Sequence, residues 1–322
     1  MDRNLPVNLG RVTEAAALAS AKFLGQGDKN AADQAAVDAM RRMFDTINID
    51  GVVVIGEGEM DEAPMLYIGE QIGTATSEDL KVDIAVDPLD GTMSVANGLP
   101  NAIAVLAVTP RGCLLHAPDM YMNKIAVGPK AKGVIDINAS TEDNIIAVAK
   151  ALNKEVGDIT VTVLDRPRHD ELVAEIRKAG ARIKMIAEGD VLAAISTCFE
   201  YSAVDMLMGI GGAPEGVLAA AALKCLDGEM QCILKPETDE QYARCEKMNL
   251  DLNKVYYTED LVKGDEIIFS ATGVSYGELL QGVKYLDNNR ATTHTLILRS
   301  ETGTIRFMES THQLDKKPEY AK

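Results

Sequence analysis

Two carboxylates, a glycine and a threonine follow one another at the end of a predicted strand. The stretch runs from Asp87 to Thr92 with the sequence D-P-L-D-G-T, directly after the alternating run K-V-D-I-A-V that begins at Lys81. Hard oxygen ligands clustered in this way suit Mg²⁺ or Mn²⁺, and a threonine hydroxyl beside them can align a water molecule or a phosphoryl oxygen. An ordinary turn is the alternative, because Asp, Pro and Gly are common turn residues. From the hexapeptide alone, a metal site and an ordinary turn are equally probable.

A second predicted strand also ends in acidic residues. Gly51 to Gly56, G-V-V-V-I-G, reads as a buried strand, and four acids follow within the six residues from Glu57 to Glu62. A solvated acidic loop is the alternative, but the direct connection to a buried strand favours a metal site. In a sheet that contains parallel strands, both acidic strand ends would meet at the carboxyl edge.

Two helices are predicted before these strands. Small and apolar residues recur at helical spacing from Val12 to Leu24, and a second amphipathic helix follows Lys29. Asp33 is expected in the first turn of that second helix. A carboxylate there interacts favourably with the helix dipole, by about 0.3–1 kcal/mol, which gives Asp33 an explanation without any metal.

Composition excludes several classes of function. The chain has 322 residues, 47% of them hydrophobic, and a formal net charge of −17, which argues against a nucleic-acid-binding or membrane-binding surface. No apolar run approaches the roughly 20 residues of a membrane span, so we expect a cytoplasmic protein. The five cysteines include no C-x-x-C pair and the four histidines show no zinc-ligand spacing, so neither disulfides nor zinc chemistry is expected.

The order of predicted elements indicates a two-part fold of the α+β / α/β class. Residues 1–157 are expected to form an α+β domain with layered helices and sheet, which holds the metal site. The segments 101–108 and 113–127 should form an antiparallel pair around Pro110. Residues 158–322 are expected to form an α/β substrate-binding domain, because strands and helices alternate there, which is typical of a mostly parallel sheet.

Three loops of the second half follow predicted strands and carry polar residues. They are the segments from Asp165 to Arg168, from Glu188 to Asp190 and from Gly209 to Gly216. Arg166 and Arg168 flank a proline and could form a rigid anion clamp or be surface charges. The glycine-rich loop from Gly209 to Gly216 does not fit G-x-G-x-x-G, because position 214 is proline, and no Walker motif occurs. Glu215 after Pro214 either meets the dipole of the following helix or faces a metal-bound phosphate, and spacing alone leaves both possibilities open.

Together these motifs resemble the lithium-sensitive phosphatase superfamily of inositol monophosphatases and sugar bisphosphatases, and within it the class II, bacterial-type fructose-1,6-bisphosphatases. The similarity runs in family order from about Arg11 to about His312. It rests on four motifs besides D-P-L-D-G-T: G-D-K-N-A-A-D from Gly27, I-G-E-G-E-M-D-E-A-P-M-L-Y-I-G-E from Ile55, A-P-D-M-Y-M from Ala117, and G-I-G-G-A-P-E-G from Gly209.

The resemblance implies roles for individual residues. The metal ligands, for Mn²⁺ or Mg²⁺, would be Asp33, Glu57, Asp87, Asp90 and Glu215. The contacts to a sugar bisphosphate would come from Asp90, Gly91, Thr92, Tyr121, Arg166, Pro167, Arg168, Glu188, Gly189, Asp190 and Gly212.

The implied reaction is metal-dependent hydrolysis of the 1-phosphate of fructose 1,6-bisphosphate by in-line attack of water, as in gluconeogenesis. Thr92 and Asp61 are the candidates for orienting or deprotonating the water, and Lys29 would place positive charge near the phosphoryl oxygens. The rival functions are sedoheptulose 1,7-bisphosphatase or dual activity, an inositol monophosphatase-like or nucleotidase activity, and a non-catalytic phosphosugar-binding protein. The expected partners are a small sugar bisphosphate and, because the helices are apolar, further copies of the same chain.

Overall fold

The computed structural model describes residues 1–58, 65–74 and 80–321. Its helices are α1 (Leu5–Ser20), α2 (Lys29–Phe44), α3 (Thr92–Asn97), α4 (Thr141–Leu152), α5 (Asp170–Ala179), α6 (Asp190–Ser196), α7 (Ala213–Cys225), α8 (Asp239–Lys247) and α9 (Thr258–Leu261). Its strands are β1 (Asp50–Ile55), β2 (Gln71–Ile72), β3 (Lys81–Asp90), β4 (Ile103–Pro110), β5 (Tyr121–Val127), β6 (Thr160–Leu164), β7 (Arg182–Ile186), β8 (Met206–Gly212), β9 (Glu229–Lys235), β10 (Tyr256–Tyr257), β11 (Ile268–Gly273), β12 (Lys284–Leu286), β13 (Arg290–Arg299) and β14 (Thr304–Gln313).

The chain forms two compact units. Met1–Leu114 and Gly264–Lys322 make up the first, and Leu115–Lys263 make up the second. The expected boundary after residue 157 therefore falls inside the second unit, and strands β11 to β14 return to the first. The return depends on long-range pairing, since β11 lies antiparallel between β4 and β13.

The first unit is built on an eight-stranded sheet. The strand order is β2-β1-β3-β4-β11-β13, with β12 and β14 both paired to β13. Strands β1 and β3 are parallel, and Gly51 lies opposite Val82, so the two acidic strand ends share one edge as predicted. Helix α1 is buried along most of its length and packs against α2, β11 and β13, since its small residues allow close approach.

The strand β3 is longer than predicted. It continues through the D-P-L-D segment to Asp90 instead of ending before it. Asp87 lies opposite Val105 and Asp90 opposite Ile103, so two residues of β3 face one residue of β4 and form a β-bulge. A bulge tolerates Pro88, which has no N–H to give to the ladder. The predicted turn is thus a bulge that re-aims the two carboxylates.

The predicted antiparallel pair around Pro110 is wrong. Strand β4 lies between β3 and β11, whereas β5 belongs to the sheet of the second unit. The turn after β4 is held by the buried Asp83 carboxylate of β3, whose Oδ2 accepts a hydrogen bond from the Gly112 N–H at 2.6 Å. The turn is therefore fastened to β3, and the following segment forms no hairpin with β4.

The second unit contains a six-stranded mixed sheet in the order β10-β9-β5-β8-β6-β7. The predicted alternation of strands and helices is confirmed in β6-α5-β7-α6-β8-α7, and β6 is parallel to both β7 and β8. Strands β9 and β10 were not predicted, and β5 and β9 run antiparallel to their neighbours. The α+β / α/β fold class is confirmed, with the parallel part restricted to β6, β7 and β8.

No helix in the described ranges combines the length and the apolar character needed to cross a bilayer.

The buried His312 in β14 gives the first unit a pH-dependent contribution to stability. Its Nε2 lies 2.7 Å from the Thr293 hydroxyl oxygen, and burial lowers its pKa to about 4, helped by the Lys317 charge. The unfolded chain then binds a proton near pH 6.5 that the folded chain does not, so stability falls as the pH drops below 6.5. Between pH 7.5 and pH 5.5 this effect lowers the free energy of unfolding of the wild type by about 1.4 kcal/mol. We expect His312→Gln, which has no titrating group at this position, to lose about 1.4 kcal/mol less over the same range.

Urea unfolding of the wild type and the variant at both pH values measures this difference. If the difference in the free energy of unfolding between wild type and variant is the same at pH 7.5 and pH 5.5, His312 is not held neutral in the folded protein.

Candidate active site

The first candidate ligand lies near the start of α2. That helix begins at Lys29, and the Asp28 carboxylate caps it by accepting a hydrogen bond from the Ala31 N–H at 2.9 Å. The first turn contains no acidic residue, so Asp33 lies beyond the part of the helix where the dipole acts. The helix-dipole explanation of Asp33 is therefore wrong. Burial raises the pKa of this half-buried carboxyl, although the Lys29 ammonium lowers it.

Glu57 lies close to Asp33 in the same unit. Its backbone N–H donates to the Leu66 carbonyl oxygen at 3.0 Å, and a Cβ on Gly56 would lie only 1.9 Å from that oxygen. Glycine is thus required at the exit from β1. Burial raises the pKa of Glu57 to about 7, and the Asp33 carboxylate contributes to the rise. Two like charges lie close together in a half-buried site, an arrangement that a bound cation would stabilise.

Strand β3 brings two further carboxylates to the edge that Glu57 occupies. Asp90 is buried at the end of the strand, and Asp87 is half-buried, with its Oδ1 accepting a hydrogen bond from the Leu89 N–H at 3.0 Å. Gly91 follows with φ of +102°, a backbone conformation that favours glycine, and turns the chain into α3. The half-buried Thr92 is the first residue of that helix.

The predicted metal ligands are gathered only in part. Of the described residues, no three His, Cys, Asp or Glu side chains are close enough to hold one metal ion together. Asp33 and Glu57 form a pair in the first unit, and Glu215 belongs to the second unit. The catalytic candidate Asp61 lies outside the described residues, as does the rest of the acidic loop from Glu59 to Pro64.

In the second unit, three predicted substrate-binding residues lie at one end of the sheet. Tyr121 at the start of β5 is opposite Gly212 at the end of β8. The Arg168 guanidinium lies over the Tyr121 ring, 4.5 Å from its centroid, and its Nη2 donates to the Ile210 carbonyl oxygen at 2.9 Å. Arg166 donates from Nη1 to the Asp165 carbonyl oxygen at 2.9 Å. The R-P-R segment is therefore held beside the glycine-rich segment from Gly209 to Gly216, here called the glycine turn, where β8 passes directly into α7. This placement fits the predicted anion clamp.

The loop between β7 and α6 ends at the same edge. Glu188 is half-buried, Gly189 has φ of +86°, and the buried Asp190 is the first residue of α6. The parallel arrangement of β6, β7 and β8 explains why the loops after all three strands lie at one edge. All residues predicted to contact the substrate from this half of the chain are thus at one end of this sheet.

The glycine turn leaves room for side chains that come from elsewhere. A Cβ on Gly212 would lie 1.8 Å from Glu215 Oε2, and a Cβ on Gly211 would lie 2.1 Å from Asp190 Oδ2. Helix α7 begins at Ala213, and Glu215 stands in its first turn. The dipole explanation of Glu215 therefore remains compatible with the structure. The glycines serve an additional purpose, since they allow two carboxylates to lie against the backbone of the turn.

Glu215 has the environment of an incomplete ligand site. Its Oε2 is buried and has no hydrogen-bond partner among the residues that the structure describes. Burial raises the pKa of this carboxyl, and the Asp190 carboxylate raises it further, while the Lys124 ammonium lowers it. A buried carboxylate oxygen without a partner is costly, which fits a residue that binds a cation.

Two functional candidates, Lys124 and His169, were missed in the sequence. Lys124 is the one charged residue of strand β5, between Asn123 and the apolar run from Ile125 to Val127, and that pattern was the available signal. His169 directly follows the R-P-R segment and is 2% exposed. Its Nδ1 lies 2.7 Å from the Leu164 carbonyl oxygen, and its Nε2 accepts the Ile210 N–H at 2.7 Å. These contacts select the neutral form protonated on Nδ1, and burial accordingly lowers the pKa of His169.

Each unit thus offers residue types that suit a phosphate-ester hydrolase: carboxylates of a kind that can bind a divalent cation in the first, and arginines of a kind that can bind phosphate groups in the second.

Comparison with known proteins gives the particular family. The family described as bacterial fructose-1,6-bisphosphatase, glpX-encoded, matches residues 3–312. Fructose-1,6-bisphosphatase 1 class 2 of Escherichia coli K12 is 51% identical over 330 aligned positions, which cover 98% of this chain and 97% of that protein. The fructose-1,6-bisphosphatase class 2 proteins of Escherichia coli O6:H1 and Shigella flexneri show the same identity and coverage. The chain belongs to the bacterial class II fructose-1,6-bisphosphatase family and is a phosphoric monoester hydrolase.

Proposed function

We propose that this enzyme hydrolyses the 1-phosphate of fructose 1,6-bisphosphate, giving fructose 6-phosphate and phosphate, with the help of Mn²⁺ or Mg²⁺. The observation that carries the metal dependence is the pair formed by Asp33 and Glu57, in which burial and like charge raise the pKa of Glu57 to about 7. The resemblance to a superfamily of lithium-sensitive phosphatases supports the same proposal. A cytoplasmic location and a homo-oligomeric state remain predictions from the sequence.

The donor set fits a hard divalent cation. The proposed ligands offer only carboxylate oxygens, which suit Mg²⁺ and Mn²⁺ better than they suit zinc. When bound, the cation supplies an electrophile that offsets negative charge on the phosphoryl group and makes a water molecule more acidic. The proposed ligands are Asp33, Glu57, Asp87, Asp90 and Glu215.

The residues of the chain then act on water and on phosphate. The attacking water forms a new P–O bond, the bond from phosphorus to the sugar oxygen breaks, and that leaving oxygen takes up a proton to become the sugar hydroxyl. Thr92 and Asp61 are the two candidates for orienting the water or removing its proton. Lys29 lies near Asp33 and places positive charge beside the same phosphoryl oxygens.

The distal phosphate is held by the clamp of the second unit. Arg166 and Arg168 bind the 6-phosphate, so that binding energy remote from the reaction positions the reacting phosphate. Tyr121, Glu188, Asp190 and the glycine turn contact the sugar. The stacking of Arg168 on Tyr121 supports this assignment, because it fixes the guanidinium plane before any substrate binds.

We expect Arg168→Ala to raise KM for fructose 1,6-bisphosphate about 10- to 100-fold with a smaller change in kcat. A charge-assisted hydrogen bond contributes about 1.5–3 kcal/mol, and its loss affects bound substrate and transition state alike. Arg182→Ala is the matched control, since Arg182 is an exposed arginine of the same unit that pairs with Asp158. Steady-state kinetics that show an unchanged KM for Arg168→Ala would remove it from the clamp.

A phosphate-release assay tests the function as a whole. EDTA-treated protein is assayed with and without Mn²⁺ on fructose 1,6-bisphosphate, sedoheptulose 1,7-bisphosphate, inositol 1-phosphate and adenosine 3′,5′-bisphosphate. The proposal expects Mn²⁺-dependent release, with the highest kcat/KM on fructose 1,6-bisphosphate. Full activity without metal would contradict the metal dependence, and a higher kcat/KM on another compound would reassign the substrate.

A further inference from the structure

Lys124 is a buried charge in the middle of a strand. It is 3% exposed, and it lies opposite Gly209 of β8 on one side and opposite Cys232 of β9 on the other. An ammonium group buried without partners is strongly unfavourable, so a lysine at this position has to be held by specific contacts. Those contacts all lead to residues at one end of the sheet.

The Lys124 ammonium joins two loops of the proposed substrate site. Its Nζ lies 2.7 Å from Asp190 Oδ2, and it donates a hydrogen bond to the Gly212 carbonyl oxygen at 2.9 Å. Asp190 follows β7 and Gly212 ends β8, so one side chain fixes the loop after each strand. Both partners are residues that the proposed function places in contact with the sugar.

The surrounding backbone is shaped for this contact. A Cβ on Gly211 would lie 2.1 Å from Asp190 Oδ2 and 2.9 Å from Lys124 Nζ, so only glycine leaves room for the ion pair. The lysine also lies near Glu215, where its charge opposes the repulsion between the two carboxylates. The ion pair therefore has space and a favourable charge environment inside the site.

We propose that Lys124 is a positioning residue of this phosphatase, which holds Asp190 and the Gly212 carbonyl group in the orientation that binds the sugar phosphate. This inference rests on the proposed function, because it takes Asp190 as a substrate-binding residue. Lys124 acts through Asp190 and Gly212 and not by touching the reacting atoms. Its removal should therefore weaken binding of substrate and product alike and leave kcat largely intact.

Lys224 provides a matched control within the same unit. It lies on α7 with a side chain 10% exposed, pairs with the Glu259 carboxylate and donates to the Val262 carbonyl oxygen at 3.0 Å. The chemistry of its contacts is that of Lys124, one carboxylate and one backbone carbonyl, but neither partner is a proposed site residue. A loss of stability common to both lysine variants can thus be separated from an effect on binding.

The experiment compares Lys124→Met, Lys224→Met, Asp190→Asn and the double variant Lys124→Met/Asp190→Asn. KM for fructose 1,6-bisphosphate is measured by phosphate release, Kd for fructose 6-phosphate by calorimetry, and stability by urea unfolding. Lys124→Met should raise KM and Kd roughly tenfold with less than a threefold change in kcat. Lys224→Met should keep KM, Kd and kcat within about twofold of the wild-type values. The double variant should bind much less than tenfold more weakly than Asp190→Asn, because the effect of Lys124 through Asp190 is already lost there and only its contact with the Gly212 carbonyl group is removed in addition.

The possible outcomes are distinct. A folded Lys124→Met enzyme with unchanged KM and Kd, or a double variant whose losses multiply, overturns the positioning role. If Lys124→Met does not fold, the double variant, which leaves neither member of the Lys124–Asp190 ion pair without its partner, is compared with Asp190→Asn, and a further tenfold loss overturns the role. An unchanged KM in Asp190→Asn means instead that the proposed substrate contact is wrong.

Discussion

Replacing Glu57 with glutamine should lower kcat for fructose 1,6-bisphosphate at least about a thousandfold, which corresponds to roughly 4 kcal/mol of lost transition-state stabilisation. The amide keeps the size of the side chain and removes the charge that the proposed cation requires. In the metal-free protein the same change relieves the repulsion with Asp33 that contributes to the raised pKa of Glu57. We therefore expect the variant to be folded and at least as stable as the wild type without metal.

Glu14→Gln is the control for the Glu57 variant. Glu14 is another buried glutamate of the first unit, 5% exposed, and its Oε1 accepts a hydrogen bond from the Thr293 hydroxyl at 3.3 Å. It lies in the helix–sheet core and belongs to no proposed ligand set. Phosphate release at saturating Mn²⁺ measures both variants. More than a tenth of wild-type kcat in Glu57→Gln would show that this carboxylate does not hold a catalytic metal.

Replacing Thr92 with alanine should lower kcat about 100- to 1000-fold and change KM less than about threefold. Thr92 begins α3 directly after the bulged end of β3, so its position is fixed by the same feature that aims Asp87 and Asp90. If its hydroxyl orients the attacking water, the loss appears in the chemical step and not in binding. Thr92→Ser keeps the hydroxyl and should retain most of the activity.

Steady-state kinetics on the two Thr92 variants distinguish chemistry from binding. A large rise in KM with unchanged kcat in Thr92→Ala would show that Thr92 only binds substrate. Equal losses in the alanine and serine variants would show that the methyl group, and with it the packing of α3, matters more than the hydroxyl.

Much of the fold follows from local patterns in the sequence. The strands that enter the two acidic segments were predicted from a β-branched run and from an alternating pattern, and their shared edge follows from the parallel pairing of β1 with β3. The bulge at Asp87 to Asp90 was not predictable, because it depends on the register with β4. The return of β11 to β14 to the first sheet depends on pairing over more than 150 residues along the chain, which no local pattern encodes.

In the candidate site, too, some residues could be predicted from local sequence and others could not. Arg168, Tyr121 and Gly212 were predicted from motifs, and the structure places them together. Lys124 and His169 were missed, because the groups that hold them are distant in the sequence: Asp190 and the Gly212 carbonyl for Lys124, and the Ile210 N–H for His169. Local sequence thus predicts residue types that suit a ligand, while the residues that hold them in position emerge only from the packing.

Calorimetric titration of EDTA-treated protein with Mn²⁺, performed on the wild type and on Glu57→Gln, is the most direct test of the metal site. It measures binding without requiring turnover, so it separates the metal site from the identity of the substrate. We expect the wild type to bind Mn²⁺ and Glu57→Gln to bind it at least about tenfold more weakly, since a charged ligand is lost. Equal affinity in the two proteins would contradict the assignment of Glu57 and Asp33 as the metal-binding pair.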